Sequence, residues 1–219
     1  ASISLRDQAD RSPYLQSMIS NTLTWSNLDN HMMPTSGRVH RLTTDFAGLG
    51  GDVRFARVLT VHDLYSSLIG KGDLVGHVSG KVGGIQGLGE DVPLFERFYL
   101  GGPRSIRGFK QGGIGPRSIQ DDPLGGTLFA EAHTELLFPF PMLGEKGVRG
   151  ELFLDAGMIQ DQDNLAGSLD GSSAPRVSAG VGALWNSPFG PLRFEFGFPI
   201  RKEDYDKTRL FDFSVGTAL

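Results

Sequence analysis

The sequence predicts an all-β fold, and three observations carry that expectation. Apolar and polar residues alternate with a period of two along much of the chain, which puts one set on each face of a strand. Glycine supplies 31 of the 219 residues, roughly twice ordinary usage, and glycine is unfavourable inside helices. Aromatic residues make up 10% of the chain and are interleaved with β-branched ones, a mixture that disordered segments lack.

The elements follow in order. Ala1 to Leu5 reads as the tail of a strand. Gln16 to Trp25 and Arg38 to Phe46 read as strands, separated by a loop rich in Asn, Asp, Pro and Gly between Ser26 and Arg38. Val53 and Phe55 open a strand whose alternation slips at Arg57 and Val58, the mark of a bulge. Leu74, Val78 and Val82 then oppose His77, Ser79 and Lys81. After a long interruption, Leu128, Ala130, Ala132, Thr134 and Leu136 oppose Glu131, His133 and Glu135. Leu152 and Leu154 oppose Phe153 and Asp155, and from Arg176 to Trp185 small and apolar residues alternate.

Asp161 to Pro175 is polar and rich in Gly and Ser, so it reads as a surface loop. Pro188 to Pro191 is a tight connector. Between Pro191 and Ile200 the alternation is clearest: Leu192, Phe194, Phe196, Phe198 and Ile200 share one face, Arg193, Glu195 and Gly197 the other. The charged stretch from Arg201 to Arg209 is a loop. In the last strand Phe211, Phe213, Val215 and Leu219 oppose Asp212, Ser214, Gly216 and Ala218. The total is about ten strands, a number within the usual range for one sheet.

Composition excludes several functions. The formal net charge is −4 with scattered Lys and Arg, so no basic stripe marks a nucleic-acid partner. The absence of cysteine removes disulfides and thiolate metal sites. His31, His40, His62, His77 and His133 lack metal-ligand spacing, and His133 with Glu135 reads as a polar pair on one strand face. Gly101-Gly102 is followed by no Gly-Lys-Ser/Thr and is no phosphate loop. Neither a cofactor nor enzymatic chemistry is expected.

No apolar run approaches the ~20 residues of a membrane helix; the longest, Leu136 to Leu143, is broken by Pro139 and Pro141. A membrane barrel stays open, because its strands alternate and look only mildly apolar. A soluble β-sandwich binding protein would show the same alternation with its apolar face turned inward, and the pattern alone does not choose between them.

The interruption from 85 to 125 is long for a loop without structure, and such loops are usually functional. It holds Phe98-Tyr-Leu-Gly-Gly-Pro-Arg-Ser-Ile-Arg-Gly-Phe109. This stretch resembles the signature of the BamA-type outer-membrane-protein assembly superfamily, also called the bacterial surface antigen family. The family's V/I-R-G-F tetrad matches Ile106, Arg107, Gly108 and Phe109. Gly112 to Ser118 and Leu124-Gly125-Gly126 are similar to the mitochondrial branch, the barrel subunit of the sorting and assembly machinery (SAM).

The resemblance implies a transmembrane antiparallel β-barrel of sixteen strands. Residues 1–219 would form a part of it, the C-terminal ten or so strands, starting near the seventh, without the soluble N-terminal domain common in the family. The long loop would fold back into the lumen. Arg107 would reach the inner wall and pair with Glu135 and Asp155, which alternation independently places on the polar face. Gly108 would let the backbone turn and Phe109 would pack the tip.

The last strand, with Leu210, Phe211, Phe213, Val215, Gly216 and Leu219, would line a lateral gate where an incoming strand is templated. The implied work is insertion and folding of β-barrel precursor proteins in the mitochondrial outer membrane, or alternatively the bacterial one. The implied partners are those precursors, recognised by a C-terminal strand signal, together with accessory subunits and membrane lipid. A polypeptide-translocating or secretion pore of the same superfamily is the alternative that the motif leaves open.

Overall fold

In the computed structural model the described residues are 14–70, 73–140, 144, 147–161, 168–169, 173–188 and 190–215. The strands are β1 (Gln16–Ser26), β2 (Gly37–Gly51), β3 (Phe55–Ile69), β4 (Leu74–Gly87), β5 (Arg117–Ser118), β6 (Leu128–Pro139), β7 (Val148–Gln160), β8 (Ser168–Leu169), β9 (Arg176–Ser187), β10 (Gly190–Arg201) and β11 (Phe211–Val215). Among the described residues, nine form one sheet in the order β1-β2-β3-β4-β6-β7-β9-β10-β11. Every neighbouring pair is antiparallel. Each strand therefore pairs with the next along the chain, apart from β5 and β8, which form a separate two-stranded pair.

The polarity of this sheet is inside out. Leu152 (46% exposed), Leu154, Val181, Phe196 (48%), Phe198, Phe211 and Phe213 (49%) stand uncovered on one face. On the opposite face Glu131, His133, Glu135, Glu151, Asp155 and Glu195 are buried beneath the long loop. A soluble sandwich hides its apolar face, whereas a membrane barrel turns that face to lipid and keeps a polar interior. The sheet is thus an arc of a transmembrane barrel wall. Trp25 and Trp185, the two tryptophans of the sequence, are both exposed. They sit near the rim that carries the β3–β4 and β9–β10 turns, the depth at which a lipid-facing aromatic girdle lies.

Three features differ from the sequence expectation. The slip at Arg57 and Val58 is no bulge: β3 pairs with β2 in unbroken register from Ala47–Phe55 to Gly37–Tyr65. The alternation is hidden because the inner face carries Phe55 and Leu59 against the loop and Arg57 between them. The polar stretch from Asp161 to Pro175 contains β8, which pairs with β5 inside the long loop. Finally, β4 runs on to Gly87, past the expected start of the loop at 85. The expected N-terminal strand tail, Ala1 to Leu5, lies outside the described residues.

Candidate functional site

The long loop fills the concave side of the sheet and is ordered by its own apolar residues. Leu100, Ile106, Phe109 and Ile114 are buried with Phe129 of β6 and Ile159 of β7. At its base, Val92 packs with Ala47, Val53, Phe55 and Ile85 of β2 to β4. Burying side chains of this size releases about 1.5–3 kcal/mol each, which offsets the cost of ordering so long a segment. Backbone bridges Phe98–Gly126 and Leu100–Ile114 tie its two arms together.

The tip is Ile106 to Phe109. Gly108 has φ +86°, and its backbone lies against Gly197 of β10: a Cβ at Gly197 would stand 2.5 Å from the Gly108 nitrogen. Two chains meet this closely only where both lack side chains. The tip is also held by the 202–210 connection, where the Arg209 amide donates to the Gly108 carbonyl at 3.0 Å and the Lys110 amide to the Lys207 carbonyl at 2.8 Å. Nearby, the Lys207 ammonium and the Arg117 guanidinium hold the exposed Asp121 carboxyl below the usual carboxylate range.

Arg107 is 3% exposed and ends in a ring of acids. Its Nε donates to Asp155 Oδ2 at 2.8 Å and its Nη2 to Asp155 Oδ1 at 2.7 Å, the parallel fork for which guanidinium is shaped. The Arg107 amide adds a third bond to Asp155, at 3.0 Å. Nη1 faces three further carboxylates: Glu151 at 2.5 Å, Glu195 at 2.8 Å and Glu135 at 2.9 Å. Arg193 approaches Glu135 and Glu195 at 3.5 Å. The guanidinium carbon sits 3.7 Å from the centre of the Phe153 ring, a cation–π contact.

Register explains how so many acids converge. Glu151 of β7 and Glu195 of β10 are each directly paired with Gly182 of β9. A Cβ at Gly182 would stand 3.1 Å from Glu195 Cγ and 3.5 Å from Glu151 Oε2. The bare strand between them lets both carboxylates lean over it to one nitrogen. Phe153 uses Gly180 in the same way, its ring 2.3 Å from where a Cβ would be.

A family model described as the Omp85 superfamily domain matches residues 2–219. The chain belongs to the Omp85 superfamily. Among its relatives, outer membrane protein assembly factor BamA of Neorickettsia risticii is 32% identical over 202 residues, 91% of this chain and 27% of that protein. A SAM50-like protein of Schizosaccharomyces pombe is 32% identical over 214 residues, 94% of this chain and 44% of that protein. The human sorting and assembly machinery component 50 homolog is 34% identical over 155 residues, 70% and 32% of the two chains. The crystal structure of BamA from Haemophilus ducreyi lacking POTRA domains 1–3 superposes with a TM-score of 0.83 at 28% identity, over 91% of this chain and 42% of that one. The Omp85 chain described here thus spans less than half the length of these relatives.

Of the residues singled out in the sequence, Ile106, Arg107, Gly108, Phe109, Glu135 and Asp155 come together in this one cluster. The gate residues lie elsewhere. Phe211, Phe213 and Val215 are on β11, which pairs with Phe196, Phe194 and Leu192 of β10. Leu210 precedes β11, and its carbonyl accepts a bond from the Gly197 amide at 2.9 Å. Gly216 and Leu219 lie outside the described residues. Sequence reasoning missed Glu151 and Glu195 as partners of Arg107. The signal for Glu151 was present, because it stands four residues before Asp155 and shares its strand face. Glu195 was visible on the polar face, but nothing in one sequence tells which acid lies across from which loop residue.

Proposed function

We propose that this chain is the C-terminal wall of an outer-membrane barrel that inserts and folds β-barrel precursor proteins, and that its membrane is the mitochondrial outer membrane. The observation that carries the reading is the Arg107 tip seated on an acidic inner wall while the outer face is apolar. The assembly names of BamA and SAM50 relatives support it, and the likeness of Gly112 to Ser118 and Leu124 to Gly126 to the mitochondrial branch supports the location.

The work requires strand exchange and no covalent chemistry. An unpaired strand edge in lipid leaves backbone groups unsatisfied at several kcal/mol each. A precursor strand that adds to such an edge is bound by its main chain and placed by its alternate side chains. The strand β11, from Phe211 to Val215, would offer that edge. The loop tip would keep the wall in the shape that the exchange needs. Partners would be barrel precursors, accessory subunits and lipid.

The test is crosslinking in a reconstituted import assay with the intact protein. A photoreactive group at Phe211 or Phe213 is expected to capture the C-terminal strand of a precursor in transit. Capture of cargo only at inward positions such as Ser214, with none at the seam, would instead indicate a polypeptide pore. Arg107→Ala is expected to slow precursor assembly at least tenfold with the sheet still folded, and a native rate would remove the loop from the mechanism.

A further inference from the structure

His77 of β4 and His133 of β6 stand beside the Arg107 cluster, and each reaches it through a shared carboxylate. His133 presents Nδ1 to Asp155 Oδ1 at 3.0 Å and Nε2 to Glu131 Oε2 at 3.3 Å. His77 presents Nδ1 to Glu135 Oε2 at 2.9 Å and Nε2 to Asp63 Oδ1 at 3.2 Å. The two sites share one plan. On the Nδ1 side each ring meets a carboxylate that also binds Arg107. On the Nε2 side each meets a carboxylate that does not.

Each ring is itself fixed. Tyr65 lies flat on His77, with ring centres 4.1 Å apart and planes within 4°. Glu131, behind His133, is held by the Ser105 hydroxyl of the loop and by Lys81 at 3.4 Å. We propose that His77 and His133 are positioning residues that lock Glu135 and Asp155 in the orientation that receives Arg107, a role that rests on the tip being a working part of the proposed insertase.

Two physical arguments carry this. A carboxylate on a strand can rotate about its terminal bond; the bidentate fork on Asp155 is formed only in one plane, and the single contact of Glu135 requires Oε1 to be turned toward Nη1. A donor behind each carboxylate holds it in that orientation. The second argument is a proton inventory. Ionised carboxylates only accept, and a neutral imidazole donates from one nitrogen alone. A ring with both nitrogens against carboxylate oxygens therefore requires one further proton in the bridge, on the ring or on one of the acids. These protons offset part of the acidic excess that Arg107, Arg193 and Lys81 leave uncompensated.

The test is hydrogen exchange of residues 101–113 in the intact protein in lipid nanodiscs. The Arg107 amide, bonded to Asp155, is its direct reporter. His77→Ala and His133→Ala are each expected to speed exchange at the tip about tenfold, the effect of losing one hydrogen bond, while the sheet stays protected. Asparagine places its amide where Nδ1 stands, so His77→Asn and His133→Asn should remain within about threefold of native. Glutamine reaches only the Nε2 position and should behave as alanine does. Native exchange in both alanine variants, or rescue by glutamine equal to that by asparagine, would overturn the proposal. If an alanine variant does not fold, the asparagine–glutamine pair decides. Loosened tips with undiminished precursor assembly would uphold the positioning role and sink the proposed part of the loop in assembly.

Discussion

Two of the ion-pair anchors between the loop and the wall have opposite polarity. In the first, near the loop's base, the cation belongs to the wall: Arg57 of β3 donates to Asp45 of β2 at 2.7 Å and to Glu96 of the loop at 2.9 Å. At its tip the cation belongs to the loop and the wall supplies the acids. The base pair is still touched by solvent, with the Arg57 side chain 23% exposed, whereas at the tip the wall carboxylates Glu151, Asp155 and Glu195 are fully covered. A partly hydrated pair adds about 1 kcal/mol or less. A buried one adds little net stability but is costly to break, at about 3–5 kcal/mol when one partner is removed. Of these two anchors, the one at Arg57 is therefore the cheaper to lose and the one at Arg107 the costlier.

Four substitutions can break or sharpen that contrast. Arg107→Ala leaves the ring of acids without its central cation and should release the tip at a cost of about 3–5 kcal/mol, read as loss of exchange protection from 101 to 113. Arg107→Lys keeps the charge but loses the fork and should recover only part of it. Gly197→Ala drives a methyl group into the Gly108 backbone. It should cost about 1–3 kcal/mol by overpacking and unseat the tip with the whole charge cluster intact. Arg57→Ala should cost about 1 kcal/mol or less and leave tip exchange unchanged; an effect as large as that of Arg107→Ala would erase the distinction between the two anchors.

The smallest effect is expected outside the lumen, in the connection between β1 and β2. There the Thr35 hydroxyl and the Thr35 and Ser36 amides donate to Asp29 and hold its carboxyl well below the ordinary value of 3.8. Its contribution is present above that value and is lost only as the pH falls beneath it, through the depressed folded value. Asp29→Ala should remove this acid-side transition in the exchange of 29–36 and leave the loop tip as it was.

Strand content was legible because a period of two survives wherever one face meets lipid, as in Phe194, Phe196 and Phe198. It blurred where the inner face is apolar too, and so Phe55 and Leu59 made Arg57 look like a bulge. The tetrad Ile106 to Phe109 and two of its acids were readable from a family resemblance joined to alternation. The remaining partners were not, since Glu151 and Glu195 meet only through Gly182, a residue whose contribution is the side chain that it lacks. The pairing of β5 with β8 rests on main-chain bonds that leave little trace in side-chain pattern.

The inner wall brings acids from three separate strands, β6, β7 and β10, to within reach of one nitrogen. Arg193 of β10 lies 3.5–3.8 Å from all three, so the wall supplies one counter-charge itself and the loop brings a second. With Arg193 alone, three acids share one cation, and their residual repulsion favours a more open arc. Seating the tip therefore tightens a curvature that the strands already have.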